Sequence, residues 1–105
     1  MFNNVKRKIV HEDDNFIARV EEVTLKGIKV IFIHIEVKQM KKVVIDYLKE
    51  QFPKFKIKVR DAGYDNLFTY SRTPRFYKFF PGYEEVGDMN WEGETYKVLK
   101  WELNS

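Results

Sequence analysis

The spacing of hydrophobic positions changes character along the chain, and each change marks an element. Val5 to Val10 is a short apolar-containing run, ended by the polar turn His11-Glu12-Asp13-Asp14-Asn15. Phe16 to Leu25 alternates as a strand does, with Ile17, Val20 and Val23 as its core candidates, and Lys26-Gly27 is the turn of a hairpin. Ile28 to Glu36 is dense in β-branched residues on both faces, the pattern of a central strand covered on both sides. From Val37 to Phe52 the period becomes helical. Val37, Met40, Val44, Tyr47 and Leu48 fall on one side, and Lys38, Lys42, Asp46 and Lys49 on the other. Pro53 predicts the end of that helix. Phe55, Ile57 and Val59 then alternate with Lys54, Lys56, Lys58 and Arg60, which predicts a strand with one wet face.

A loop through Asp61-Ala62-Gly63 and Asp65-Asn66 leads to the aromatic stretch Phe68 to Phe80. This stretch becomes helical after Thr73, a capping residue, with Pro74 at the first helical position, where its missing N–H is harmless. Pro81-Gly82 ends it. Tyr83 to Val86 is a possible short strand, Gly87 to Gly93 a turn, and Glu94 to Leu103 the final strand. The order is β-β-β-α-β-α-β: an α/β (mixed α+β) fold with a central mixed sheet flanked by two helices. Val30, Phe32, Val44, Leu48, Ile57, Val59, Phe76, Leu99 and Trp101 are the expected core. A ferredoxin-like fold needs a helix between its first two strands, and there is no room for one before Ile28.

Composition narrows the class. The chain has 105 residues, enough for one domain spanning 1–105 and too few for two. A hydrophobic share of 44%, with 16% aromatic, argues against disorder. The absence of cysteine excludes disulfides, thiolate metal sites and a cysteine nucleophile. Lys29 and His34 interrupt the longest apolar stretch, so no membrane span is expected. Met1 to Lys8 has no apolar core of a signal peptide, and a cytoplasmic location is the expectation. The net charge of +3 is spread among sixteen acids, unlike the concentrated charge of a strong nucleic-acid binder.

The run Arg75-Phe76-Tyr77-Lys78, followed by Gly82-Tyr83 and a strand, resembles the C-terminal half of the GNAT superfamily of acyl-CoA-dependent N-acyltransferases, and the likeness covers roughly residues 28 to 103. The resemblance implies a GNAT-like sheet. It also implies that Tyr77 matches the tyrosine that protonates the departing coenzyme thiolate, a suitable task for a phenol of pKa near 10. In that family the central strand runs into a glycine-rich turn whose amides cradle the cofactor pyrophosphate. Here the matching stretch from Ile33 to Val43 has no glycine, and only Lys38, Lys41 and Lys42 offer positive charge. Four residues separate Phe76-Tyr77 from Gly82-Tyr83 instead of three, which turns Tyr77 by roughly 100° on a helix. The expectation is therefore that no cofactor is bound, acetyl-CoA being the cofactor if the chain is an enzyme.

Small GNAT-like chains without the cofactor loop resemble bacteriophage proteins, some virion-associated and others acting on host or defence machinery. That resemblance implies a protein partner from host or phage. Tyr64, Phe68, Tyr70, Arg72, Arg75 and Tyr83 are the candidate contact residues, since tyrosine and arginine dominate binding hot spots. The alternatives are an N-acetyltransferase with a divergent cofactor loop and, further off, a nucleic-acid binder using Lys54, Lys56, Lys58 and Arg60 as a phosphate stripe. His11-Glu12-Asp13-Asp14 is a turn before it is a metal site, and His34 is a packed or hydrogen-bonded core histidine. Ser71 and Ser105 have no base near them in sequence.

Overall fold

In the computed structural model, which describes residues 4–104, the chain forms one six-stranded sheet with a single long helix. Part of the N-terminal segment weighed as a leader, and Ser105, lie outside the described residues. The strands are β1 (Asn4–Glu12), β2 (Phe16–Leu25), β3 (Ile28–Val37), β4 (Asn66–Ser71), β5 (Tyr83–Trp91) and β6 (Glu94–Glu102), in the spatial order β1-β2-β3-β4-β6-β5. Every neighbouring pair is antiparallel except β3 and β4, which run parallel and are joined by helix α1 (Lys42–Asp61). Two hairpin turns, Lys26-Gly27 and Glu92-Gly93, have positive φ at both central residues, the geometry whose twist matches the flanking strands.

α1 departs from the sequence expectation at both ends. It starts at Lys42 and not at Val37, because Val37 still pairs with Phe16 in the sheet. It also runs through Pro53 to Asp61, so residues 54–60 are helix and not strand. Val44, Leu48, Phe52 and Val59 recur at helical spacing on its buried side, and the stripe crosses the proline without interruption. An interior proline costs about 3 kcal/mol. Full burial of Phe52 and Val59 returns about 1.5–3 kcal/mol each, and Pro53 itself is exposed. Burial wins. Ile57, expected in the core, points outward at 49% exposure, and Val30 and Phe76 are half-buried. The helix closes at Gly63, whose φ of 102° suits glycine and whose amide bonds to the Arg60 carbonyl.

The fourth strand lies instead at Asn66–Ser71. The second expected helix is a six-residue 3₁₀ segment, Pro74–Phe79. It packs on the same face of the sheet as α1: Phe52 meets Phe80 with ring centroids 4.7 Å apart and Trp101 at 5.0 Å. The sheet thus has one main helix on one face and not one on each side. Gly87 is not a turn residue; it sits beside a bulge within β5, which continues to Trp91.

The core fills the space under α1. Phe16, Ala18, Val20, Ile31, Ile33, Leu67, Leu99 and Trp101 face Val44, Leu48 and Phe52, and the Trp101 indole N–H donates to the Phe80 carbonyl at 2.9 Å. Replacing Pro53 with alanine should restore the missing helical hydrogen bond and raise stability by about 1–2 kcal/mol, after allowing for a freer unfolded chain. Urea denaturation would measure this; an unchanged or lower midpoint would contradict the account of α1.

Candidate functional site

Parallel strands β3 and β4 share a single registered pair, Phe32 with Phe68, and separate beyond it. Strands that separate leave backbone groups without ladder partners. Two side chains supply the missing bonds. The Thr69 hydroxyl lies 2.6 Å from the Ile33 carbonyl and 3.2 Å from the Tyr77 hydroxyl, and the Ile35 amide donates to Tyr77 Oη at 3.4 Å. A hydroxyl has one proton to give. With that of Thr69 on Ile33, Tyr77 donates to Thr69 and accepts from Ile35. Thr69 is 0% and Tyr77 3% exposed. Burial pushes the Tyr77 phenol above its ordinary pKa, so it stays protonated.

On the sheet face away from α1, the side chains between these strands and β2 form a cleft of about 420 Å³. Its floor holds Glu21 from β2, His34 from β3 and Tyr70 from β4. Tyr70 donates to Glu21 Oε1 at 2.8 Å, and His34 Nε2 lies 2.7 Å from the same oxygen, close but not aligned for a hydrogen bond. Tyr70 also meets the rings of His34 at 4.4 Å and Tyr96 at 5.6 Å. Arg7, Arg19 and Arg72 stand around the rim. Arg7 lies 3.6 Å from Glu21, Arg19 lies 3.9 Å from Glu36, and Arg72 is paired with Glu94. Burial lowers the pKa of His34 and the adjacent Glu21 only partly opposes it, so the imidazole is neutral at pH 7. Burial and the bond to Glu21 raise that of Tyr70. A second recess, about 380 Å³ and bounded by Val37, Met40 and Phe76, shares Ile35, Ser71, Thr73 and Tyr77 with the first. Together they make a trench that passes the mouth between β3 and β4, with Tyr77 at its base.

The candidates read from sequence are distributed unevenly around this trench. Tyr77 lies at its base, Tyr70 and Arg72 line the cleft, and Phe68 is beside Tyr70 on the open face, 5.7 Å from Phe32. Arg75 is exposed on the 3₁₀ segment. Tyr64 and Tyr83 go elsewhere. Tyr64 packs at the core margin and donates to Glu22, with its pKa raised to about 12, chiefly by burial, and Tyr83 packs on Trp101. Lys54, Lys56, Lys58 and Arg60 do not form a strand stripe, because successive members are about 200° apart on α1. His34, expected as a core histidine, lines the cleft, and Arg7, Arg19, Glu21, Trp91 and Tyr96 join it without having been candidates from sequence. The polar positions Arg19 and Glu21 alternating with Ala18 and Val20 were the available signal.

The β3–α1 connection, where a cofactor pyrophosphate would need free amides, is tied to the β1–β2 turn. The amides of Lys38 and Gln39 both donate to the Asn15 carbonyl, at 2.7 and 3.3 Å. The Lys38 ammonium binds the Asp13 carbonyl at 2.8 Å, and Gln39 Nε2 binds that of Asp14 at 3.1 Å. Lys42 is paired with Asp46 at 2.6 Å, and Lys41 is exposed. Asp13 itself serves the turn: it accepts from the Asn15 and Phe16 amides and lies 2.7 Å from His11, which lowers its pKa to about 2. Among the described residues no three acidic or histidine side chains converge as a metal site, and no helix is long and apolar enough to cross a membrane.

No family model matches the chain, and no curated protein matches it. Among solved structures, the crystal structure of aminoglycoside 6'-acetyltransferase type Ii resembles it with a TM-score of 0.61 at 13% identity, over 87% of this chain and 71% of that one. The fold is GNAT-like. At this identity the likeness carries the fold alone.

Two outcomes follow from the geometry. Thr69→Val leaves the Ile33 carbonyl and the Tyr77 hydroxyl short of partners in a fully buried place. It should destabilise the chain by about 1–3 kcal/mol in denaturant titrations; a change within error would show that these bonds do not hold the two strands. The second concerns acid. A histidine whose folded pKa lies below about 6.5 binds its proton more readily unfolded, so its contribution is complete above that value and is lost as pH falls toward the folded pKa. The denaturation midpoint should therefore drop between pH 7.5 and 5, and His34→Gln should flatten that drop. An equal drop in the variant would assign it to other groups. Asp13 acts in a different window, near pH 4 to 2.

Proposed function

We propose that this chain is a GNAT-fold binding protein that holds a protein partner on the open face of its sheet and does not transfer acyl groups. The observation that carries this reading is the Asn15 carbonyl, which accepts the Lys38 and Gln39 amides. A diphosphate needs several converging free amides at the start of a helix. Here these two serve the protein's own turn, and no glycine lets the backbone approach a ligand closely. The partner surface is the cleft rim, where Tyr70, Tyr96 and Trp91 offer aromatic area beside Arg7, Arg19 and Arg72. A host or phage protein is the expected partner, in keeping with the small phage-type chains that the sequence resembles.

One observation favours a second reading, an acetyl-CoA-dependent N-acetyltransferase with a divergent cofactor loop. The trench runs past a buried, protonated Tyr77, a group suited to giving a proton to a leaving thiolate. Thermal denaturation separates the two. A ligand present at its own dissociation constant stabilises by only about 0.4 kcal/mol, so 1 mM acetyl-CoA should leave the melting temperature nearly unchanged if affinity is millimolar or weaker. A rise of several degrees, with turnover of an amine acceptor abolished in Tyr77→Phe, would establish the enzyme instead. A partner captured by the wild type should be lost with Arg72→Glu plus Arg75→Glu at unchanged stability. Recovery of nucleic acid alone, dissociating as salt rises, would point to phosphate binding.

A further inference from the structure

The two outer strands of the sheet carry opposite charge. β1 presents Lys6, Arg7 and Lys8, all exposed, and β5 presents Glu84, Glu85 and Asp88, all exposed, with Lys100 at 2.8 Å from Glu84 and Lys97 at 2.9 Å from Asp88 in the neighbouring strand. Each strand has one neighbour in the sheet, so one row of its N–H and C=O groups faces outward, and such rows are templates for a further strand. Charged edges ordinarily discourage pairing, and here they do so for any two-fold contact. β1 against β1 would set lysines and arginine opposite their like, and β5 against β5 would do the same with acids. β1 against β5 is the exception.

Direction and register agree with that exception. β1 and β5 run the same way through the sheet, as the pairing senses from β1 to β5 require. A copy placed beside the sheet by translation therefore brings its β5 parallel to β1. Lys6 and Lys8 pair with Glu22 and Val20, two ladder steps apart. Glu85 and Asp88 pair with Leu99 and Lys97, also two steps apart, because the bulge after Glu85 absorbs one residue. Setting Lys6 beside Glu85 thus sets Lys8 beside Asp88, and in the next step Ile9, 53% exposed, lies beside Met89. The bulge near Val10 ends the matched stretch after Ile9 and keeps it short, which makes the contact weak and reversible.

We propose that the basic β1 edge of one copy and the acidic β5 edge of a second copy pair in parallel, head to tail, through Lys6–Glu85 and Lys8–Asp88. Such a contact is heterologous and does not close on itself as a two-fold dimer does, so it extends by adding copies. It is independent of the cleft and of its occupant.

Sedimentation of the purified chain over a range of concentrations tests this, with salt at about 0.01 M and about 1 M, where screening lengths are roughly 30 Å and 3 Å. The wild type should at least double its mean mass with rising concentration at low salt and return to the monomer at high salt. Lys6→Glu plus Lys8→Glu, and separately Glu85→Lys plus Asp88→Lys, should each stay monomeric. An equimolar mixture of the two variants, or one chain bearing all four changes, should assemble again because the charges are exchanged. A monomeric wild type throughout, assembly by either single-edge variant, or no recovery in the mixture would overturn the proposal. Should a variant fail to fold, hydrogen exchange on the wild type decides. Protection of β1 and β5 amides should rise with protein concentration at low salt, and protection independent of concentration would overturn it.

Discussion

Two parallel strands that meet at one residue pair and then diverge set the arrangement of everything around them. A sheet tolerates such a gap only if the freed backbone groups find partners. Thr69 provides these from β4 itself and Tyr77 from the 3₁₀ segment beneath. These bonds therefore link β3, β4 and the 3₁₀ segment. They also decide where openings form: the Tyr70 cleft lies on one side of the gap, and the Met40 recess at its far end. Tyr77 is thus both a core aromatic packed on Trp101 and the polar floor of the trench.

The strands at both ends of the chain were legible because their alternation is regular and their turns are of one kind. Lys26-Gly27 was recognisable as a hairpin turn, and Glu92-Gly93 is the same residue pattern with the same positive φ values. From sequence it reads as the end of a longer turn that starts at Gly87, whereas Gly87 belongs to a bulge within β5. The error at Pro53 has a different origin. Residues 54–60 satisfy a period of two and a period of 3.6 at once, since Phe55 and Val59 belong to both sets. A proline beside such a segment biases the choice toward strand. Only the tertiary partners of Phe52 and Val59 break the tie, and those partners are not local. The site was less legible still. Glu21 and His34 acquire their meaning from Tyr70, far away in sequence, and no spacing rule connects the three.

The β3–α1 connection meets two different demands. The GNAT-like sheet needs the parallel crossover through α1, and that crossover has a proper core stripe. A phosphate-binding turn needs something more local: amides that point outward with nothing of their own to bond. Glycine permits it by removing side chains from the approach. The stretch Val37 to Lys41 keeps its side chains and gives two of its amides to Asn15. The same bonds fasten the β1–β2 turn to the start of α1 and so stabilise the corner of the sheet.

The polar cluster on the open face has a structural consequence separate from any ligand. Glu21 is 8% exposed, yet Tyr70 and His34 converge on one of its oxygens and Arg7 approaches the other. A slip of β2 by one residue against β3 would carry every side chain of β2 to the opposite face. Glu21 would then lie under α1 among Val44, Leu48 and Phe52, and an unpaired carboxylate there costs several kcal/mol. Phe16, Ala18 and Val20 would in exchange face the open side. The carboxylate thus penalises the wrong register more than the apolar residues of β2 alone would. Because Tyr70 on β4 donates to that carboxylate and His34 on β3 lies beside it, the penalty involves three strands and favours the side of the sheet on which the cleft opens.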